Sequence, residues 1–185
     1  MGITSPHRHE QKIMQMKVLY VTNSIGLGGA SVALINMLEY SAANGIEPLV
    51  TCPAIGTFSA KLKQMNIPFI VIGNPLEIYP HIYSWKSYIK YPYSLIKLIL
   101  EKHFAYKKFC SCIEIFKPDI IHCQHLWIAP YCASKTGVAD VATAHGTDLK
   151  GLVLDSRYVP YALEGAQKSK KIITISKQVD YEVGE

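Results

Sequence analysis

KVLYVTNSIGLGGAS, residues 17–31, changes character twice, and its reading decides the architecture. Val18, Leu19, Tyr20 and Val21 make a short apolar run of β-favouring side chains, which suits a central parallel strand covered by helices on both faces. Asn23 and Ser24 break that run. Gly26, Gly28 and Gly29 follow, and residues without a Cβ let backbone N–H groups approach a ligand at the start of the next helix. This order of strand, polar turn, glycines and helix predicts a place for phosphate, carboxylate or sugar hydroxyls. As a dinucleotide fingerprint the segment is poor. The third glycine of G-x-G-x-x-G falls at Ser31, and where an acidic residue should stand about 20 positions on there are only Thr51, Cys52 and Pro53, with Glu47 too early to reach a ribose. Two readings of the glycines remain: contact with a ligand, or a tight turn with close helix packing.

The same plan repeats along the chain. Ala30, Ala33, Leu34, Met37, Leu38 and Ser41 recur at the spacing of one helical face, and Asn44 with Gly45 supplies a C-cap. Residues 46–52 read as a second strand stopped by Pro53; Thr57 is a candidate N-cap for a short helix carrying Phe58, Leu62 and Met65; residues 69–72 read as a third strand. Between 74 and 93 the pattern fails. Tyr79, Tyr83, Trp85, Tyr88, Tyr91 and Tyr93 crowd among Lys86, Lys90 and several prolines, which predicts a long irregular excursion. A helix is expected over 93–116, with Leu95, Ile99, Tyr106, Phe109, Ile113 and Phe116 on a common face and Lys97, Lys102, Lys107 and Lys108 largely elsewhere. Such a mixture of aromatics and lysines can seat a protein on an anionic bilayer, or the tyrosines can simply pack the helix while the lysines are solvated.

Residues 120–123 read as a fourth strand running into Gln124, His125, Leu126 and Trp127. A helix at 129–135 leads to a fifth strand, 141–144, which ends in His145, Gly146, Thr147 and Asp148. A helix at 156–170 tolerates Pro160 in its first turn, 171–175 is a sixth strand, and Ser176 can cap a last helix. Strict alternation of strand and helix predicts an α/β fold: a Rossmann-like, doubly wound parallel sheet with right-handed crossovers. Ligands of such sheets bind outside the carboxyl ends of the strands, where the glycines, His125 and the HGTD turn all fall.

The whole composition agrees with one buried core. The 185 residues are 49% apolar and 18% charged, and no apolar run reaches the 18 or more residues that a membrane span needs. Residues 1–15, with His7, Arg8 and His9, read as a disordered lead or a non-native extension before a natural start at Met16, with no signal peptide. Residues 16–185 then form one domain. Five irregularly spaced cysteines suit reduced thiols in a cytoplasmic protein. His122, Cys123, His125, Cys132 and His145 match no metal-ligand spacing, so no metal site is expected. The net charge of +5 points to acidic partners, either nucleotide-sugar phosphates or an anionic membrane surface, and no motif for reading nucleic acid is present.

No serine sits in a nucleophile elbow, no paired carboxylates stand out, and no Walker lysine follows the glycines. What remains is a binding edge of glycine amides and imidazoles, suited to a sugar phosphate. The amides and the helix dipole hold oxyanions, while a histidine donates to a hydroxyl or stabilises charge on a departing group. His145 and His125 are the candidates for that role, each with a packed-turn alternative; His122, inside its strand, reads as structural.

Taken together, KVLYVTNSIGLGGAS, KPDIIHCQHLW, TAHGTDL and KKIITISKQV resemble the N-terminal domain of the retaining, GT-B fold glycosyltransferases related to glycogen and sucrose synthases and bacterial mannosyltransferases. The resemblance spans residues 17–183 and implies the N-terminal half of a GT-B fold. In that family this domain binds the acceptor, and a second Rossmann-like domain holds the nucleoside diphosphate sugar. The resemblance further implies that Gly28 and Gly29 lie near donor phosphates or acceptor and that His145 approaches the transferred sugar; Gly26, Gly146, Thr147 and Asp148 are candidate binding residues from their place at the strand ends. The family often carries HxH at the end of the fourth strand; here His122 is followed by Gln124 and then His125, so either takes the matching position. The ExxxxxxxE glutamate pair and the diphosphate-gripping basic residues of the family's C-terminal domain do not occur in these residues. The expectation is half an enzyme, inactive alone, with no cofactor beyond the donor sugar nucleotide and with a glycan, lipid or small-molecule acceptor. A nucleotide-sugar epimerase of the same fold and a non-catalytic sugar-phosphate binding domain are the alternatives.

Overall fold

A computed structural model describes residues 15–73, 85–146, 148 and 158–175. Thr147, the lead before residue 15, the stretch 74–84, the expected helix start at Ser156 and the Ser176 cap lie outside the described residues. The chain order is β1 (Lys17–Val21), α1 (Gly29–Ala43), β2 (Glu47–Cys52), α2 (Thr57–Gln64), β3 (Phe69–Val71), α3 (Trp85–Phe116), β4 (Ile120–Cys123), α4 (Ala129–Ser134), β5 (Ala139–Ala144), α5 (Val159–Lys168) and β6 (Lys171–Thr174). The strands form one parallel sheet in the order β3-β2-β1-β4-β5-β6. Because the chain moves outward from β1 on one side and then resumes at β4 on the other, the order reverses between β1 and β4. A crevice opens at the carboxyl end of such a pair.

Alternation along β1 divides the core into two layers. Leu19 and Val21 join Phe109, Cys112, Ile121, Ala133 and Ala142 beneath α3 and α4. Val18 and Tyr20 join Leu34, Leu38, Phe58 and Leu62 beneath α1 and α2. Tyr20 keeps its hydroxyl in that apolar layer through a 2.8 Å bond to Ser41 Oγ. The α4 and α5 helices approach so closely that a Cβ on Gly165 would stand 2.6 Å from the Tyr131 nitrogen.

Several local expectations are corrected. Gly56, not Thr57, is the N-cap of α2, and Ser59 closes its first turn by accepting from Gly56 N–H at 2.9 Å. The buried face of α1 is Ser31, Leu34, Ile35, Leu38 and Ser41; Ala33 is exposed because the start of this helix borders a cleft. The α3 helix begins at Trp85, so residues 85–93 are helical rather than irregular, and Pro92 lies inside the helix. Proline removes one N–H and costs about 3 kcal/mol in a helix interior, but extending an already nucleated helix needs no second nucleus. The expected common face of α3 also fails over its length. Phe109 is buried and Ile113 and Phe116 pack on the core, whereas Ile99 and Tyr106 are exposed. Length explains the difference: 32 residues span about 48 Å as helix, and a six-residue strand only about 20 Å. Since α3 runs back toward the start of β4, its early turns project past the carboxyl edge of the sheet.

Candidate functional site

The crevice at the β1/β4 switch point is a cleft of about 930 Å³. Its walls include Asn23, Ser24 and Gly26 after β1, the first turn of α1, His125 after β4, and His145 with Gly146 after β5. Each group arrives there because a strand ends and its loop turns over the carboxyl edge. Thr22 and Ser24 shape the first loop through a 3.1 Å bond from Ser24 N–H to Thr22 Oγ1, while Ser31 Oγ ties the start of α1 to the Gly26 carbonyl at 2.8 Å. The first N–H groups of a helix lack intrahelical acceptors and carry the positive end of its dipole, so this wall attracts an anion.

The structure removes the packing argument for two of the glycines. A Cβ built on Gly28 or Gly29 meets nothing within 4 Å, and Gly28 is in extended backbone that any residue adopts. Neither a strained turn nor close helix packing calls for glycine at these positions. Their missing side chains leave open the cleft itself.

Asp148 ties together the two segments that carry the imidazoles. Its carboxylate is buried and accepts from His125 Nδ1 at 2.7 Å, from the backbone N–H of His145 at 3.0 Å and from that of Leu126 at 3.3 Å. Trp127 Nε1–H donates to the Asp148 carbonyl at 3.0 Å, so one residue joins the loops after β4 and β5. The His145 ring bonds the backbone of Gln124, and the two rings stand 5.2 Å apart. Each ring therefore holds its proton on Nδ1 when neutral. Among the described residues, Nε2 of both His125 and His145 is buried without a hydrogen-bond partner. A buried polar atom left unpaired costs about 1–3 kcal/mol, so a pair of them beside a cleft points to a ligand. Burial, and then the neighbouring His125, lowers the pKa of His145, with Asp148 and the Gln124 backbone opposing. In its neutral form a ring with its proton on Nδ1 accepts a hydrogen bond at Nε2.

The other candidates separate. Gln124 is buried with its side-chain amide 3.4 Å from His122 Nε2 and does not line the cleft, whereas His125 does. His122 bonds Thr143 Oγ1 at 2.8 Å and packs on Tyr20, and burial followed by the nearby His145 pushes it down to about 4. It is a neutral core residue. Gly26 and Gly146 line the cleft, and Asp148 acts through its neighbours. Among the described residues no three His, Cys, Asp or Glu side chains form a metal-binding group. Sequence reasoning passes over Leu27, Ser31 and Ala33 as cleft residues; their place after β1 is the available signal. Ile175 reaches the cleft only through strand order.

A parallel doubly wound domain with an anion-attracting helix start and two imidazoles at its switch point is the N-terminal half of a GT-B glycosyltransferase fold. The chain belongs to Glycosyltransferase Family 4, whose profile matches residues 27–185. No curated protein matches the sequence. Among solved structures, it is similar to Anabaena Alr3699/HepE in complex with UDP-glucose, with a TM-score of 0.64 at 18% identity, covering 91% of this chain and 40% of that one. Acinetobacter baumannii MurG aligns with a TM-score of 0.56 at 12% identity, covering 89% of this chain and 42% of MurG. A protein assigned as a UDP-N-acetylglucosamine 2-epimerase from Listeria monocytogenes gives 0.57 at 11% identity, covering 91% and 42%. The chain thus spans about two fifths of the length of these structures.

Proposed function

We propose that this chain is the acceptor-side domain of a retaining glycosyltransferase that moves a hexose-type sugar from a nucleoside diphosphate sugar to a glycan, lipid or small-molecule acceptor. One observation carries the reading: His125 and His145, each with a buried Nε2 that has no partner among the described residues, line the same cleft as the start of α1. The helix start and the amides near Gly26, Gly28 and Gly29 attract the diphosphate, and a sugar hydroxyl set between His125 and His145 donates to their Nε2 atoms. His145 and His125 then orient the sugar while charge builds on the leaving diphosphate, a task of placement and electrostatic stabilisation. Gly146 borders the sugar on the β5 side. A second domain, outside these residues, supplies the glutamate pair and the basic grip on the diphosphate. The bound HepE complex, whose ligand is UDP-glucose, supports a sugar nucleotide as donor.

The test is full-length protein with a panel of nucleotide sugars, reading turnover and the anomeric configuration of the product. His145→Ala is expected to lower kcat by about 10²–10³ with the fold intact, as removal of one charge-stabilising group does elsewhere. An inverted anomer sinks the retaining mechanism, and unchanged kcat in His145→Ala removes the site. The Listeria neighbour favours a second reading, epimerisation of the donor. Conversion of donor sugar with no acceptor present distinguishes it, and sugar-phosphate binding with no turnover of any kind marks a non-catalytic domain.

The proposal includes a cytoplasmic enzyme in peripheral contact with a membrane. Among the described residues no helix is long and apolar enough to cross one. The outward face of α3, however, exposes Tyr93, Ile96, Leu100 and Phe104 beside Lys97, Lys107 and Lys108. An interfacial helix needs this combination of apolar and basic groups. Co-sedimentation with anionic vesicles exceeding that with neutral ones is expected, and equal recovery counts against the contact.

A further inference from the structure

Gly56 stands between β2 and α2, outside the cleft wall, yet the glycine loop that forms part of that wall rests on it. Its φ of −168° and ψ of −163° are extended backbone that any residue adopts, so its conformation does not call for glycine. The space around it does. A Cβ at this position would run into the Ile25 carbonyl oxygen and stand 2.6 Å from Ile25 Cγ2. That carbonyl accepts from the Phe58 N–H at 3.1 Å, one of the helix-start donors that have no acceptor within α2. The donor is fixed in turn, because the Phe58 side chain is fully buried in the core layer of Leu34, Leu38 and Leu62. Gly56 is held as well: its N–H donates to Ser59 Oγ at 2.9 Å, and that hydroxyl donates to the Gly56 carbonyl at 3.0 Å.

A second anchor holds the loop from the side of α1. Ser31 Oγ donates to the Gly26 carbonyl at 2.8 Å and accepts from the Gly28 N–H at 3.3 Å. The side chains of the loop bury little, with Ile25 45% exposed and Leu27 53%. With so few apolar contacts, the backbone bonds at Ile25 and Gly26 set where the loop lies. We propose that Gly56 is a positioning residue for the cleft: its missing side chain lets the Ile25 carbonyl seat on the first turn of α2, and so places the amides of residues 26–29 against a ligand's diphosphate. The diphosphate rests on the transferase reading; the seat of the loop does not. No residue of α2 lines the cleft, so Gly56 acts through the loop alone.

The test uses full-length protein, with uridine diphosphate as the probe and Gly56→Ala as the variant. The added methyl displaces the Ile25 carbonyl, so the amide signals of Gly26, Gly28 and Gly29 should shift in ¹H–¹⁵N spectra. Exchange of the Phe58 amide should speed up about tenfold or more as its acceptor moves away. Uridine diphosphate affinity should fall about tenfold or more in calorimetry, with the His125 and His145 ring signals unmoved. Ser41→Ala is the comparison: it strips the buried Tyr20 hydroxyl of its partner and lowers stability without touching the loop, so it should leave the affinity unchanged. Retained affinity in Gly56→Ala, unmoved glycine signals, or an equal loss in Ser41→Ala each overturns the proposal. If Gly56→Ala does not fold, the unaltered protein decides. Uridine diphosphate should then slow exchange of the Phe58 amide more than that of the Leu163 amide on α5, and equal slowing overturns the proposal. Failure of the unaltered protein to bind uridine diphosphate counts against the transferase reading, and the glycine signals of Gly56→Ala still decide whether Gly56 sets the loop.

Discussion

At the scale of single residues, Asp148 illustrates how a candidate ligand contact becomes a positioning group. Three donors converge on its carboxylate, so Asp148→Asn must turn an amide NH₂ toward at least one of them. Denaturant unfolding should show a loss of about 1–3 kcal/mol, the range for an unpaired buried group. Ring ¹⁵N spectra should show His125 losing its fixed Nδ1–H form, which a purely structural role for Asp148 would not require. The opposite behaviour is expected at Gly28. With φ −116 and ψ −177, and no atom within 4 Å of the place a Cβ would take, Gly28→Val should fold with an unchanged thermal midpoint. Its two methyl groups enter the cleft, and full-length protein should lose about tenfold or more in sugar-nucleotide affinity, equivalent to about 1.4 kcal/mol. Retained affinity in calorimetry would place the diphosphate elsewhere.

At the scale of elements, the close approach of α4 and α5 fixes the floor under the loop that carries His125. Gly165→Ala introduces a methyl 2.6 Å from the Tyr131 nitrogen and 3.0 Å from Pro130 atoms, contacts with backbone that cannot rotate away. Overpacking of this kind costs about 1–3 kcal/mol, and thermal denaturation should show it as a lower midpoint. The α3 helix shows where sequence periodicity stops being informative. From Phe109 onward the expected face, Phe109, Ile113 and Phe116, packs on the core as its spacing predicts. The same spacing before that point leads to exposed side chains, because the helix outruns the strands beneath it. Pro92 has a sound local reason to end an irregular segment, and the length of helix that follows outweighs it.

For the whole molecule, the buried imidazoles couple stability to pH. His122 titrates at about 4 in the fold against about 6.5 when exposed, so below pH 6.5 the unfolded chain takes up a proton that the native state refuses. Stability from this residue is complete above pH 6.5 and is lost as pH falls to 4, up to about 3 kcal/mol; His145 acts in the same direction. Denaturant midpoints should fall from pH 7 to pH 4.5, and His122→Gln should flatten that dependence. The strand and helix alternation, the parallel sheet and the edge that bears the site were legible without coordinates. They follow from the period of apolar residues and from the chirality of crossovers, which act locally. So was the set of loops that supplies the cleft, since each begins where an apolar run ends. Only the tertiary structure decided that His125 rather than Gln124 borders the cleft, that Asp148 ties the His125 ring to the His145 backbone, and that an apolar cavity lies between α3 and α4. Those outcomes depend on which distant loops meet across parallel strands, and no spacing along the chain encodes a contact between residues 125 and 148 or brings residues 72 and 128 to the wall of one cavity.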